Sequence, residues 1–214
     1  QHMTRSGRID FQINSQQDAP EILEYLLDYF SSLSVNSKEI LNLSVRTTKT
    51  CHCCQTTTFE DEPHSILKLS VARDLNKSIQ SFTKQEVVQG VFCQLCNSYQ
   101  TASLQCSFIA SGEYLIIQLK RFDNKLVKDH TFVNCVGYTL KLPVSDEEIT
   151  ASKEYQLVAS ICHFGRYGSG HYNAHVFDPI RRGWLICNDK AVLPQGFWKV
   201  DNHYSYILFY KSVT

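Results

Sequence analysis

Apolar positions in this chain change their spacing about a third of the way along. In residues 15–30, Ile22, Leu23, Leu26, Leu27 and Phe30 recur at helical intervals. Ser15 can cap such a helix, and Asp18 and Glu21 place negative charge where the N-terminal dipole favours it. Residues 74–82 repeat the pattern on a smaller scale, with Leu75, Ile79 and Phe82 on one face. Beyond that the helical period is lost. Leu67, Leu69 and Val71 alternate with polar neighbours. Segments 104–109, 114–122, 155–163, 172–177, 183–187 and 204–210 are apolar, rich in β-branched and aromatic residues, and separated by turn formers. The pattern predicts an α+β chain that begins helical and becomes largely antiparallel sheet.

Composition narrows the class. The chain has 214 residues, 43% hydrophobic and 20% charged, enough for a packed core without disulfide staples. Lys and Arg total 21 and so do Asp and Glu, so a general binder of nucleic acid or anionic membrane is not expected. The longest apolar runs are strand-sized, too short to cross a bilayer, and no signal peptide is visible behind Gln1-His2-Met3. Nine cysteines, an odd number in a chain of this size, suit a reducing compartment, the cytoplasm or nucleus, better than a secreted framework.

Those cysteines carry the first chemical signal. Cys51-His52-Cys53-Cys54 and Cys93-Gln94-Leu95-Cys96 form two Cys-x-x-Cys knuckles, 38 residues apart. Two intervening residues let both thiolates of a knuckle face one ion, and two knuckles complete a tetrahedral zinc site. Cys51 and Cys54 have the right separation, with Cys53 and His52 as alternatives at the first knuckle. A closed four-sulfur site leaves no position for substrate, so the zinc is expected to be structural.

The second signal is a histidine. Residues 163–172 place a glycine-rich loop between two predicted strands, and His171 opens the second of them, held by the sheet yet reachable from the loop. Asn188 and Asp189 end the predicted strand that starts near Trp184. If these strands pair as a hairpin, either residue reaches the imidazole and orients it. A nucleophile is harder to find. The cysteines at 51, 53, 54, 93, 96 and 106 belong to the knuckle region or the strand after it, and Cys135, Cys162 and Cys187 lie in or beside strands without a helix start to lower their pKa.

Taken in order, these segments resemble the ubiquitin-specific proteases, cysteine peptidases with a papain-like hand of thumb, fingers and palm. Gln16-Gln17-Asp18-Ala19-Pro20-Glu21-Ile22-Leu23 is similar to the family's Gln-x-Asp-Ala-x-Glu-Phe-Leu helix start. The knuckles resemble its fingers, and residues 114–122, ending Leu119-Lys120-Arg121-Phe122, its Leu-Lys-Arg-Phe strand. Gly170-His171-Tyr172-Asn173-Ala174 resembles the histidine box, residues 184–189 with Val192 the acidic box, and residues 204–210 the closing strand.

The resemblance implies one catalytic domain over residues 1–214, with a partial thumb at 15–47, the zinc fingers region at 48–102 and the palm at 103–214. It implies His171 as base, Asn188 as its orienting partner and Asp189 beside it. It implies zinc on Cys51, Cys54, Cys93 and Cys96, and a groove for the ubiquitin tail at Asp18, His163 and Tyr172, flanked by a blocking loop. The reaction it implies is hydrolysis after the C-terminal glycine of ubiquitin through a thioester.

The family's cysteine box, which should precede the glutamine helix, is not found in these residues, so the nucleophile is expected from outside this chain and the chain alone is expected to be inactive. Ile22, Leu26 and Phe30 should then need covering by a partner, a second chain or segment carrying that box. The alternatives are a catalytically inactive module that binds ubiquitin or a ubiquitin-like protein, and a zinc-ribbon interaction domain with no link to ubiquitin.

Overall fold

The computed structural model describes residues 17–33, 40–134, 139–146, 149–195 and 202–213. Helix α1 (Ala19–Leu33) packs from its first residue, Ala19, and its first turn is closed by the Ile22 amide donating to the Asp18 carbonyl at 3.3 Å. The expected helix start at Ser15 lies outside the described residues. Helix α2 (Leu75–Phe82) has Asp74 as its N-cap, the carboxylate accepting from the Asn76 amide.

Twelve strands complete the described fold: β1 (Leu43–Cys51), β2 (Thr57–His64), β3 (Leu67–Ser70), β4 (Glu86–Cys93), β5 (Ser98–Ser111), β6 (Tyr114–Lys120), β7 (Leu140–Asp146), β8 (Ile149–Arg166), β9 (Ser169–Asp178), β10 (Gly183–Asn188), β11 (Ala191–Gln195) and β12 (Ser205–Ser212). All belong to one branched sheet. At one end β2, β1, β5 and β4 lie side by side; at the other the order runs β11, β10, β9, β8. The long strand β8 pairs with β7 and then β9 along one edge and with β12 along the other. Pairing is antiparallel except for β3 beside β6 and a single bridge from β5 to β7.

Strand β6 shows why this sequence makes a central strand. Leu115, Ile117 and Leu119 point into a large core with Leu67, Leu69, Leu75, Ile79 and Leu208, so α2 covers that face. Ile116 points the other way and packs with Leu27 of α1, Ile66, Tyr206 and Ile207. Burying a Leu or Ile side chain contributes about 1.5–3 kcal/mol, so the two cores fix both helices to the sheet. Arg121 follows directly and is fully buried. Its guanidinium donates to the carbonyls of Ser205, Asp129, Thr131 and Asn202, pinning the 121–131 segment to the start of β12.

Among the described residues, helix α1 is covered only on its sheet side. Leu27 is buried, Ile22 and Leu26 are half-buried, and Phe30 is 51% exposed.

Candidate active site

His171 and Asn188 meet because β9 and β10 pair in register, Cys187 opposite Ala174, which sets Asn188 one step further along beside the histidine end of β9. The imidazole Nε2 lies 2.5 Å from the Asn188 Oδ1. An amide oxygen only accepts, so Nε2 carries the proton and the Nδ1 lone pair is left as a base. Asp189 opens the two-residue turn between β10 and β11 with φ 50° and is exposed. Among the described residues no sulfur lies within hydrogen-bond distance of His171. Cys162 is buried against Ser160 and Ser205, Cys106 faces Thr47, and Cys187 is the penultimate residue of β10, opposite Ala174. Cys135 lies outside the described residues.

One residue before His171, Gly170 forms the wall of a groove of about 190 Å³, bounded also by Gln17, Asp18, Phe122, His163 and Tyr172. A Cβ on Gly170 would stand 2.4 Å from the His163 Nε2 and from the Phe164 carbonyl oxygen, so only glycine lets β8 and β9 close here. Asp18 fixes the opposite wall. Its carboxylate accepts from the Tyr172 hydroxyl at 2.7 Å and the Tyr206 hydroxyl at 3.2 Å, tying the start of α1 to β9 and β12. Burial, with the adjacent Asp18 charge, pushes both phenols well above the ordinary tyrosine range, so they remain donors. His163 is 3% exposed, and burial together with the Lys128 ammonium pulls its pKa down.

The knuckles converge at the far end of the sheet. Cys51 closes β1, Cys54 follows in its turn, Cys93 closes β4, and Cys96 stands in the turn before β5. The four sulfurs lie within 4.8 Å of one another, with Cys54–Cys93 at 3.6 Å and Cys51–Cys96 at 4.0 Å. Tetrahedral zinc–thiolate bonds of about 2.3 Å require sulfur–sulfur edges of about 3.8 Å, so the set fits that ion. The Thr56 hydroxyl and amide hold the Cys54 thiol down at about 6, while its sulfur neighbours, Cys54 first, push Cys96 up. Four thiolates this close need a cation to ionise together. Of the alternatives at the first knuckle, His52 turns its ring to the Ser103 hydroxyl, and Cys53 is exposed outside the four-sulfur group.

A base held by an amide on the neighbouring strand, at the mouth of a glycine-walled groove, is the arrangement with which thiol-dependent hydrolases activate a nucleophile. Comparison with known proteins agrees with that class. The family model described as ubiquitin carboxyl-terminal hydrolase matches residues 1–210, and the chain belongs to that family. It is 30% identical over 227 residues to ubiquitin carboxyl-terminal hydrolase 25 of Arabidopsis thaliana, covering 94% of this chain and 34% of that protein. It is 28% identical over 193 residues to ubiquitin carboxyl-terminal hydrolase 4 of Saccharomyces cerevisiae (strain YJM789), covering 76% of this chain and 21% of that protein. The chain thus spans about a third or less of the length of these relatives. Among solved structures, the SAGA Ubp8/Sgf11/Sus1/Sgf73 DUB module bound to ubiquitin aldehyde matches at a TM-score of 0.78 and 25% identity, over 94% of this chain and 50% of that one. The yeast SAGA module carrying a mutant Sgf73 matches in fold at a TM-score of 0.79 and 23% identity, over 92% and 51%. The α+β hand expected from the sequence is the fold observed.

Proposed function

We propose that these residues are the palm, fingers and part of the thumb of a cysteine-type deubiquitinase that hydrolyses the bond after the C-terminal glycine of ubiquitin. The observation that carries this reading is the His171–Asn188 pair at the mouth of the Gly170 groove. In it, His171 Nδ1 takes the proton of a thiol, and the thiolate attacks the carbonyl carbon of the glycine. The leaving amine receives that proton, and water then cleaves the thioester. Asn188 keeps the ring in the reactive tautomer, and Asp189 flanks it as an auxiliary polar group. Asp18, His163 and Tyr172 line the path of the tail, which must be narrow in side chain to pass Gly170.

The thiol comes from a segment or chain beyond these 214 residues, which also covers the exposed side of α1. That no described sulfur reaches His171 supports this part. The division is thumb 15–47, fingers 48–102 and palm 103–214. Cys51, Cys54, Cys93 and Cys96 hold one structural zinc, supported by the fit of their sulfurs. The eight described cysteines are free thiols, which suits the cytoplasm or nucleus. Ubiquitin is the partner; the similar solved DUB module is bound to ubiquitin aldehyde. Among the described residues no helix is long and apolar enough to cross a membrane.

The test is release of a fluorophore from the C-terminus of ubiquitin by the full-length protein. His171→Ala should abolish turnover, and Asn188→Ala should lower kcat about a hundredfold or more by freeing the tautomer. Turnover surviving His171→Ala would sink the assignment. The missing thiol also favours a second reading, an inactive ubiquitin-binding module. Full-length protein that binds ubiquitin but releases no fluorophore would establish it.

A further inference from the structure

Beside the groove stands a lysine that the proposed reaction does not use. Lys128 leaves a tight turn built on Asp123, whose amide donates to the Val127 carbonyl at 3.1 Å and whose carboxylate accepts the Lys125 and Val127 amides at 2.9 and 2.8 Å. The strand-like bridge to Phe122 and the Asp129 amide bonded to the Arg121 carbonyl at 2.6 Å fix its backbone against β6. Arg121, donating to the Asp129 carbonyl at 2.9 Å, locks the same segment from inside.

From this fixed base the side chain runs inward, where lysine ammonium groups seldom go. Its Nζ donates to the His163 carbonyl and, at 3.4 Å, to the Gly165 carbonyl, and it lies 3.2 Å from the His163 Nδ1. It also sits over the Phe122 and Tyr204 rings, 5.7 and 5.5 Å from their centroids. All three hydrogen-bond acceptors belong to the β8–β9 hairpin. That hairpin bends at Gly165, φ +126°, and at Gly168, φ +70°, and Tyr167 at its tip packs edge-on against Phe122.

We propose that Lys128 is a positioning residue that clamps the β8–β9 hairpin against the 122–129 turn and so sets how tightly the groove grips its occupant. The clamp acts through one ring. The ammonium occupies the Nδ1 lone pair of His163, which leaves the proton on Nε2 and that edge of the ring against Gly170. Gly170 forms the groove wall, and His171 follows it. Desolvation and the nearby Arg121 charge depress the lysine pKa, an unfavourable placement offset by contacts that hold the hairpin. Without the ammonium, two carbonyls and a ring nitrogen lose their donor, and the two glycine bends are free to open the wall. His171 keeps its bond to Asn188 on β10, so the groove should loosen more than the base moves.

As an account of substrate grip, this rests on the deubiquitinase reading, and the experiment separates the two. Full-length wild type, Lys128→Met and Lys128→Arg are compared in ubiquitin–fluorophore hydrolysis and, without substrate, in amide hydrogen exchange. Lys128→Met should raise KM about tenfold with kcat within about threefold, and Lys128→Arg, which keeps charge and donors, should recover most of the loss. Exchange at residues 163–170 should quicken about tenfold in the Met variant, with residues 183–195 unchanged. Unaltered exchange overturns the clamp whatever the kinetics. A fall in kcat with KM unchanged overturns its assignment to the groove. Faster hairpin exchange in a protein whose wild type shows no turnover keeps the clamp and removes the deubiquitinase reading. Should Lys128→Met fail to fold, Lys128→Gln, which keeps donors without the charge, is read in the same two assays.

Discussion

The two ends of the sheet concentrate chemistry in opposite ways. At one end, four sulfurs come from two short knuckles, each closed by its own turn, and their mutual geometry is complete within this chain. At the other, the proposed base His171 and its partner Asn188 come from strands whose meeting depends on the register of the β9–β10 pair, and no described thiol joins them. The first kind of site is local and could close on an ion; the second is distributed and stays open to what approaches it. Damage to one should therefore leave the other standing.

The hardest test of that independence is Cys93→Ala. Structural zinc sites in small peptides contribute about 10–16 kcal/mol of apparent binding free energy, so losing a ligand should abolish zinc binding and release the β4–β5 and β1–β2 hairpins. Metal analysis should fall from one zinc per chain to none, while amide exchange in β8, β9 and β12 stays protected. Loss of protection in those palm strands would show that the ends are coupled.

Gly170→Ala attacks the other end. Its methyl would lie 2.4 Å from the His163 ring and a main-chain oxygen, so the hairpin must spread, at a cost of about 1–3 kcal/mol in thermal stability. The zinc content should not change. Wild-type stability and ubiquitin affinity in this variant would mean that the groove wall is not the close contact described.

The smallest effect is that of mild acid, again at the palm alone. The native pKa of His163 lies below that of a free imidazole, so the unfolded chain binds its proton first. The stability this contributes is present above about pH 6.5 and is lost as pH falls through and below that value. Protection of the hairpin amides, corrected for the intrinsic slowing of exchange in acid, should fall between about pH 7 and pH 5, and His163→Gln should flatten the change. An unchanged slope in that variant would place the titrating group elsewhere.

How much of this was legible from residue order follows the same division. The knuckles were legible because a Cys-x-x-Cys spacing is a local code, and β6 because its residues are apolar on both faces. Helix α2 was legible from Leu75, Ile79 and Phe82 on one face, and Asp74, expected inside it, is its N-cap. Strand-like segments leading to Cys51 and Cys93 were expected and are β1 and β4, while β2, β7 and β11 were missed. Strand β2 reads Thr-Thr-Phe-Glu-Asp-Glu-Pro-His and is almost wholly exposed, so it carries no period-two apolar signal and owes its strand form to pairing with β1. Strand β8 extends far past the predicted 155–163 at both ends for the same reason. At the site, the hairpin that brings Asn188 to His171 was foreseeable, and the family resemblance put Asp18 and Tyr172 in one groove, but the bonds from Tyr172 and Tyr206 to the Asp18 carboxylate were not foreseen. Lys128 was not foreseen, because nothing local marks a lysine whose acceptors lie 35 residues away.

Strand β8 runs for 18 residues, about 60 Å if fully extended, meeting β7 at one end and β9, the strand of His171, at the other. Through β7 and β5 it links the strand that carries the histidine to the strand that leaves the cysteine cluster. A ladder of hydrogen bonds resists stretching far better than a linker does. The spacing along β8 from its β7 register to Phe164, opposite His171, is thus set by one continuous strand, whereas the step from β7 to β5 rests on a single bridge and is the softer joint.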